Sequence, residues 1–263
     1  MNNYTNDNTA RRYVAHVSIF GVTQVHLRNP YIIAWWSAAF PGFGHLLLSK
    51  SFRGFLFIIL EVIINTQAYI NMGIIYTFVG EFDLANQVLD TRWLILYLPL
   101  YFFIIWDSYR TTVDLNFYYV LADWEQHRFH TSSIGAFEID FLDKKKPVLA
   151  AIASVFVPGL GQLYLNRLIV AFIILFFTIS FLYLSNFLTS LTLLFAGELQ
   201  RANAVLHIDW FLFLPSIYGF SVFDAYINAV ENNKLFAKEQ RSFLKDNYQH
   251  PDFQILKSQK MEQ

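Results

Sequence analysis

The sequence predicts an all-α integral membrane protein made of two tandem repeats. Of its 263 residues, 55% are hydrophobic and only 15% are charged, whereas soluble domains carry about 25% charged residues. Long apolar stretches are separated by short polar segments, and the mean hydropathy is +0.36. One turn motif also occurs twice, 158 − 41 = 117 positions apart: Pro41-Gly42-x-Gly44 and Pro158-Gly159-x-Gly161. Each repeat is predicted to contain a re-entrant segment broken by Pro-Gly and two spanning helices.

The offset of 117 residues holds without a gap from Pro30 to Asn116, which align with Pro147 to Asn233. Roughly 23 of these 87 aligned positions are identical, and most of the others exchange one apolar residue for another. An ungapped register of this length predicts a tandem duplication. The expected organisation is a cytoplasmic N-terminal segment (1–29), membrane repeat one (30–116), a cytoplasmic linker (117–146), membrane repeat two (147–233) and a cytoplasmic tail (234–263).

Charge and cysteine content exclude several classes of function. The net charge is −1, so no overall field attracts nucleic acid. The chain has no cysteine, which excludes disulfides, thiolate metal sites and cysteine nucleophiles. Residues 1–29 have no continuous apolar stretch, so a cleaved signal peptide is not expected. The polar residues 1–12 are expected to be disordered.

The segment before the first repeat alternates apolar and polar residues over 13–27, which is the pattern of a strand. The offset of 117 places part of it over residues 136–141. Both segments are predicted to be short cytoplasmic strands, and an extended loop is the alternative.

Each repeat then begins with an apolar, uncharged segment that a proline interrupts. Residues 31–49 could just cross a bilayer by length, but Pro41 removes a backbone donor and clashes with the preceding turn. We therefore predict a short helix over 31–39 and a helical turn over 44–49. Residues 147–166 follow the same pattern.

The remaining part of each repeat is predicted to hold the spanning helices. A helix over 54–79 would be about 39 Å long, and 168–196 is its counterpart. A polar connection with a short surface helix follows, over 80–92 and again over 197–209. The last span starts at Trp93 or Trp210, which suit the membrane interface, and continues as a polar helix outside the bilayer.

The distribution of Lys and Arg favours four full spans. If each Pro-Gly segment enters and leaves through one face, that face collects most of the basic residues: Arg11, Arg12, Arg28, Lys50, Arg53, Arg110, Arg128, Lys144, Lys145, Lys146, Arg167, Lys234 and Lys238. The opposite face carries mainly acidic residues: Glu81, Asp83, Asp90 and Arg92, then Glu198, Arg201 and Asp209. The positive-inside rule then places both termini in the cytoplasm. In the alternative, the Pro-Gly segments cross and the chain has six spans.

The motif Gly161-Gln162-Leu163-Tyr164 after Pro158, the basic Arg167 and the distal Asp224 resemble the pattern of the two-transmembrane-helix domain family. The first copy departs from this pattern at His45 and Leu47, and neither copy has the family's glycine before the basic residue. The resemblance covers about a third of each repeat. It implies a multi-pass protein of the bacterial plasma membrane, and it implies no biochemical activity, because the family mostly lacks one.

The candidate sites are few. The turns at Pro41, Gly42 and Gly44 and at Pro158, Gly159 and Gly161 have free backbone N–H groups that could receive an anion, although chain reversal alone would explain them. Glu61 is the only charged residue inside the long helices, and Asn65 lies one turn further on. The alternative for Glu61 is a simple ion pair with Lys50 or Arg53. His45 has no second metal ligand near it in sequence, so neither a metal nor a cofactor is predicted.

Asp107 and Asp224 occupy the same position near the end of the last span in each repeat. We predict that each aspartate ties this helix to the re-entrant turn of its own repeat, through the N–H groups of the turn or through Lys50 and Arg167. A solvated aspartate at a helix end is the alternative. Under the first hypothesis, substitution of either aspartate by asparagine should lower stability by a similar amount.

The sequence contains no motif for nucleotide binding, zinc or nucleophilic catalysis, so an enzyme is not expected. Two functions remain open. One is a non-enzymatic scaffold or assembly partner, with the lipid bilayer and a cytoplasmic or membrane protein as partners. The other is a channel or transporter subunit built from two repeats.

Overall fold

The computed structural model describes residues 11–18, 20–125, 129–134 and 139–249, and these are mainly helical. The first half has a hairpin and six helices: β1 (Ala15–Ser18), β2 (Gly21–Gln24), α1 (Pro30–Ala39), α2 (Phe43–Leu47), α3 (Ser51–Ala68), α4 (Ile70–Val79), α5 (Phe82–Val88) and α6 (Thr91–Glu125). The second half follows: β3 (Ser132–Ile134), β4 (Ile139–Phe141), α7 (Pro147–Phe156), α8 (Leu160–Tyr164), α9 (Leu168–Leu184), α10 (Phe187–Phe195), α11 (Leu199–Val205), α12 (Ile208–Phe211) and α13 (Phe213–Tyr248).

The starts of the helices in the two halves differ by a constant number of residues. Each of α1 to α6 starts 117 positions before a helix of the second half, from Pro30 and Pro147 to Thr91 and Ile208. The left-handed backbone positions show the same offset, for example Tyr69 with φ 54° and Asn186 with φ 52°. The predicted disorder of residues 1–12 lies almost entirely outside the described residues.

Strands occur where the sequence predicted them, but each segment forms a two-stranded hairpin and not the single strand that was expected. β1 pairs antiparallel with β2 and β3 with β4, and the outer pairs Ala15 with Gln24 and Ser132 with Phe141 again differ by 117. The predicted second strand began at 136, and residues 135–138 lie outside the described part of the chain. The strand interpretation is therefore preferred over the extended loop for the residues that can be compared.

The prediction of one continuous helix over 54–79, and of another over 168–196, is wrong. The first breaks at Tyr69, whose left-handed backbone ends α3, and the second breaks at Ser185 and Asn186, where α9 and α10 meet at 57°. At each break a carbonyl accepts a hydrogen bond from a residue before the last helix: Asp90 N to Ala68 O at 3.3 Å, and His207 N to Ser185 O at 3.0 Å. Each break thus provides the acceptor of a tertiary hydrogen bond. No proline or glycine in the sequence indicates the position of either break.

The two halves share one aromatic core. Phe43 of α2 stacks on Phe220 of α13 with ring centroids 4.1 Å apart, and Phe181 of α9 stacks on Phe213 at 4.7 Å. Trp36 of α1 also lies 5.5 Å from Phe220. Fully buried aromatic pairs of this kind contribute beyond their buried area. The broken segment α1–α2 is thus held against the last helix of the second half.

Several helices have the length and composition of membrane spans. Two qualify directly, Ser51–Ala68 and the stretch Ile208–Tyr248, and up to four qualify if each of the bent pairs α5–α6 and α9–α10 is one span. Large apolar side chains are exposed along these helices, such as Phe102 at 65% and Phe195 at 83%. An apolar surface of this extent suggests association with a membrane.

Candidate functional site

The two Pro-Gly turns have a backbone that only glycine adopts easily. Gly42 has φ 103° and Gly159 has φ 104°, both in the left-handed region. A Cβ on Gly42 would also lie 2.5 Å from Gly54 O of α3. At the next glycines, Gly44 and Gly161, a Cβ would lie 2.2 Å from the hydroxyl oxygen of Ser37 or Ser154. The sequence Pro-Gly-x-Gly therefore lets the chain reverse while three helices meet closely.

Asp224 is completely buried beneath the second turn. Arg167 Nη1 donates to both of its carboxylate oxygens, at 2.7 and 2.6 Å. Gln162 Nε2 of α8 donates to Oδ2 at 3.0 Å, and Asn228 Nδ2, one turn further along α13, donates to Oδ1 at 2.8 Å. A buried carboxylate is tolerated when charged and neutral donors surround it in this way.

The second turn is joined to α13 by further hydrogen bonds. Gly159 N donates to the hydroxyl of Ser221 at 3.0 Å, and this hydroxyl donates to Gln162 Oε1 at 3.1 Å. Gln162 Nε2 also donates to Ser221 O at 2.9 Å. The free N–H of the turn is therefore used, but its acceptor is a serine and not the predicted aspartate.

Asp107 lies beneath the first turn in the same way. His45 Nε2, at the position that Gln162 has in the second half, lies 2.9 Å from Asp107 Oδ2, so this nitrogen carries the proton that the carboxylate accepts. The sequence hypothesis named Lys50 as the basic partner in this half, and this was wrong. Arg53 takes its place and donates to Oδ2 at 3.3 Å, because it lies one helical turn beyond the N-cap. The Arg53 side chain is 56% exposed, so this pair is weaker than the one at Asp224.

Arg167 and Arg28 connect the two halves. Arg167 Nη2 donates to Leu46 O of the first turn at 3.4 Å, and Arg28 Nη2 donates to Asn228 Oδ1 at 3.2 Å. Burial and the charge of Arg167 lower the pKa of Arg28 to about 10, although nearby carboxylates oppose the shift. The position of Arg28 is fixed by Asn116, which bonds its backbone N and O at 2.9 and 2.8 Å. Asn233 holds Lys145 likewise, at 2.8 and 2.7 Å.

Glu61 belongs to a separate polar network, which lies in the first half and makes one hydrogen bond to the second. Asn65 Nδ2 donates to Glu61 Oε1 at 3.1 Å and to Asn71 Oδ1 at 3.2 Å. Tyr97 OH donates to the same glutamate oxygen at 3.4 Å, and Asn71 Nδ2 reaches Asp209 O of the second half at 2.7 Å. The alternative of an ion pair with Lys50 or Arg53 is thus not found for Glu61. Thr178 occupies the corresponding position in α9 and is buried with an unpaired hydroxyl.

The sequence identified the two aspartates, Arg167 and a polar stripe of Glu61, Asn65 and the nearby Asn71, but it missed several of their partners: Gln162, Asn228, Arg28 and Tyr97. The position of Gln162 could have been found, since it aligns with His45 at the offset of 117. Asn228 could have been found as well, because it lies four residues after Asp224 on the same helix face. Within the described ranges, no three His, Asp or Glu side chains are grouped to hold a metal ion.

Comparison with known proteins found no matching family model, no curated relative and no solved structure with a similar fold. The resemblance to the two-transmembrane-helix domain family accordingly stays a prediction, based on the turn motif and the distal aspartate.

Proposed function

We propose that the chain is a multi-pass protein of the plasma membrane, formed from two tandem copies of one unit with four full spans and both termini in the cytoplasm. The common offset of the helix starts supports the two copies. The broken segments are short, since α1 and α7 have 10 residues each and would extend about 15 Å, half of the hydrocarbon thickness. Their length supports re-entrant segments.

The positions of the charges support the same orientation. Arg53 and Arg167 lie at the starts of α3 and α9, and they pair with aspartates near the middle of α6 and α13. Beyond these aspartates both long helices continue as polar segments to Glu125 and Tyr248. One face therefore has the basic residues, both turns and both helical extensions, as expected for the cytoplasmic side.

We further propose that the protein acts as a non-enzymatic scaffold or assembly partner in this membrane. The observation that carries this proposal is that the buried polar groups form hydrogen bonds with other groups of the protein. Asp224 accepts from three side chains, and Glu61 accepts from Asn65 and Tyr97. Each network lies within one half, and Arg167, Arg28 and Asn71 add hydrogen bonds between the halves. Together these bonds brace the fold, which is the requirement for a rigid membrane platform.

A channel or transporter subunit is the second candidate. It is favoured by the network of Glu61, Asn65 and Asn71, because intramembrane carboxylates often serve in transport. Against it, the only polar side chain at the corresponding depth of α9 is that of Thr178. A transporter made of two repeats is expected to have polar groups at this depth in both copies.

Reconstitution into liposomes separates the two candidates. A scaffold should give no flux of K⁺, Na⁺ or protons above that of protein-free liposomes, under a salt gradient of either direction. A flux that Glu61→Gln abolishes, and Thr178→Val leaves unchanged, would replace the scaffold by the transporter. A scaffold should also form a discrete cross-linked product in cell membranes when a photoreactive residue replaces Ser242 on the exposed end of α13.

A further inference from the structure

A cavity of about 400 Å³ lies between the starts of α3 and α9. The β1–β2 hairpin closes one side of it and contributes Ser18 and Thr23. The helix positions that line it are Lys50, Ser51, Phe52 and Arg53 in one half and Arg167, Ile169 and Val170 in the other. The first and last residues of the two sets differ by 117 positions. The cavity therefore lies where equivalent parts of the two halves meet. Its volume is within the usual range of small-molecule sites.

The charged residues among the described lining residues are all basic: Lys50, Arg53 and Arg167. Arg53 and Arg167 each use Nη1 for their aspartate, and neither aspartate lines the cavity. Arg167 is 10% exposed and also uses Nη2 for Leu46 O, so it contributes mainly its charge, whereas Arg53 is 56% exposed and keeps other donors. Lys50 is exposed, and within the described part of the chain its ammonium group has no ion-pair partner. The cavity thus has one uncompensated positive charge and two partly compensated ones.

Backbone donors add to this positive potential. The first hydrogen bonds within the helices run from Gly54 N to Lys50 O at 2.9 Å and from Ala171 N to Arg167 O at 3.0 Å. The three N–H groups before each donor therefore have no acceptor in their own helix, and neither N-cap residue forms a side-chain cap bond. Two helix starts with positive dipole ends thus face one cavity. Ser49 and Ser51 add hydroxyl groups that can donate or accept.

The backbone of the hairpin fixes the wall of the cavity. Gly21 has φ +111°, and a Cβ there would lie 1.6 Å from Asn166 O. Only glycine lets the hairpin approach the residue that precedes Arg167. The Asn166 side chain is itself held by Asp140 Oδ1, to which its Nδ2 donates at 3.0 Å. The cavity is therefore built by contacts among three separate parts of the chain.

We propose that this cavity binds a phosphate group, either on a lipid headgroup or as free phosphate. Three cations, hydroxyl groups and two sets of free N–H groups are the donors that a phosphate oxygen accepts from most readily. The cavity lies at the start of α3, which is long enough to span a membrane, and of α9, which is long enough together with α10. With the proposed arrangement in the membrane, this position places the group at the membrane surface. The inference does not depend on whether the protein is a scaffold or a transporter.

The test is the thermal unfolding of the purified full chain in two series. The first uses an uncharged detergent, with sodium phosphate titrated against sodium chloride at equal ionic strength. The second uses nanodiscs of phosphatidylcholine, whose phosphate is neutralised by its own choline, with or without phosphatidylglycerol, whose phosphate keeps its negative charge. The wild-type melting temperature should rise with the logarithm of the phosphate concentration above the dissociation constant, by about 3 °C at ten times that constant.

Two cavity variants and one matched control make the result specific. Lys50→Gln removes the unpaired cation, and Ser51→Asp places a carboxylate at the first position of α3, so both should abolish the rise. Ser51→Asp should also raise the melting temperature without phosphate, because an acidic residue suits a helix start. Lys245→Gln makes the same charge change at an exposed site near the end of α13 and should keep the full rise.

Each outcome decides the proposal. A rise with phosphate alone identifies free phosphate, a rise with phosphatidylglycerol alone identifies a headgroup, and a rise in both series means that either source is accepted. No rise in either series would overturn the proposal. So would an equal rise in the wild type and Lys50→Gln, and this comparison decides even if Ser51→Asp does not fold.

Discussion

Arg167 and Asp224 form a buried ion pair in which a single guanidinium nitrogen lies 2.7 and 2.6 Å from the two carboxylate oxygens. Their side chains are 10% and 0% exposed. The same guanidinium reaches Leu46 O in the first half, so the pair ties α9, α13 and the first turn together. The corresponding pair of Arg53 and Asp107 is more open to solvent.

This difference in burial predicts unequal costs for the two aspartates. Asp224→Asn leaves Arg167 buried without its counter-charge and should lower the free energy of unfolding by about 3–5 kcal/mol. Asp107→Asn affects a partner that is 56% exposed and should cost about 1 kcal/mol. Unfolding in detergent measures both, with Glu198→Gln on the surface pair with Arg201 as the control. Equal losses of stability for the two variants would contradict this prediction and would agree with the equal losses that were expected from the sequence.

Gly42 and Gly80 have similar positive φ angles but different surroundings, so alanine substitutions there separate the cost of steric contact from the cost of the backbone conformation. Gly42→Ala should lower stability more than Gly80→Ala. Both have positive φ, 103° and 87°, but a Cβ at Gly42 meets Gly54 O at 2.5 Å, whereas nothing lies within 4 Å of one at Gly80. Gly80→Ala should cost about 1–2 kcal/mol from the backbone alone, and Gly42→Ala should exceed this. Equal melting temperatures for the two variants would show that the turn is not packed as described.

His26 makes stability depend on pH below neutrality. Burial, together with the positive charges of Arg28, Arg167 and Lys234, lowers the pKa of His26 from 6.5 to about 3. The unfolded chain therefore takes up a proton near pH 6.5 that the folded chain does not take up until about pH 3. The contribution of neutral His26 to the free energy of unfolding is therefore fully present above pH 6.5. It is lost as the pH falls, and the free energy of unfolding decreases by no more than about 1.4 kcal/mol per pH unit.

The measurement is the melting temperature from pH 8 to pH 5, for the wild type and His26→Gln. The wild type should lose stability more steeply below pH 6.5 than the variant. Parallel curves would mean that His26 titrates normally in the folded protein.

The Glu61 network predicts a contrast between the two halves. Glu61→Leu leaves Asn65 and Tyr97 without a shared acceptor and should cost about 1–3 kcal/mol, whereas Glu61→Gln keeps an oxygen for them and should cost less. Thr178→Val at the matched position removes a hydroxyl that has no partner, so it should be neutral or stabilising. A destabilising Thr178→Val together with a neutral Glu61→Leu would contradict the described hydrogen bonds.

The sequence predicted the parts of the fold that depend on local chemistry. Pro41 ends α1 because proline cannot continue a helix, and the alternating pattern predicted extended structure where the first hairpin lies, although it did not predict the turn between the two strands. The break at Tyr69 could not be predicted, because a tertiary hydrogen bond to Ala68 O stabilises a left-handed backbone that no local residue requires.

In the candidate site as well, the sequence predicted what depends on local pattern and not what depends on tertiary contacts. Asp107 and Asp224 were found because the two segments that align at an offset of 117 both have an aspartate after an apolar stretch. The choice of Arg53 over Lys50 depends on which face of α3 meets α6, and a sequence pattern does not define this. The basic cavity was missed because its walls come from residues near 20, 50 and 168, which only the folded chain brings together.

The central claim is the arrangement of four spans with two re-entrant segments. The chain has no native cysteine, so single cysteines can be labelled cleanly in intact cells with a membrane-impermeant reagent. Cysteines at the exposed Asn86 and Asn203 should react from outside, and a cysteine at Ser51 should react only after permeabilisation. Ser242→Cys is the internal control, because it is cytoplasmic in both arrangements. External labelling at Ser51 together with protection at Asn86 would show that the Pro-Gly segments cross the membrane, and this would contradict the account.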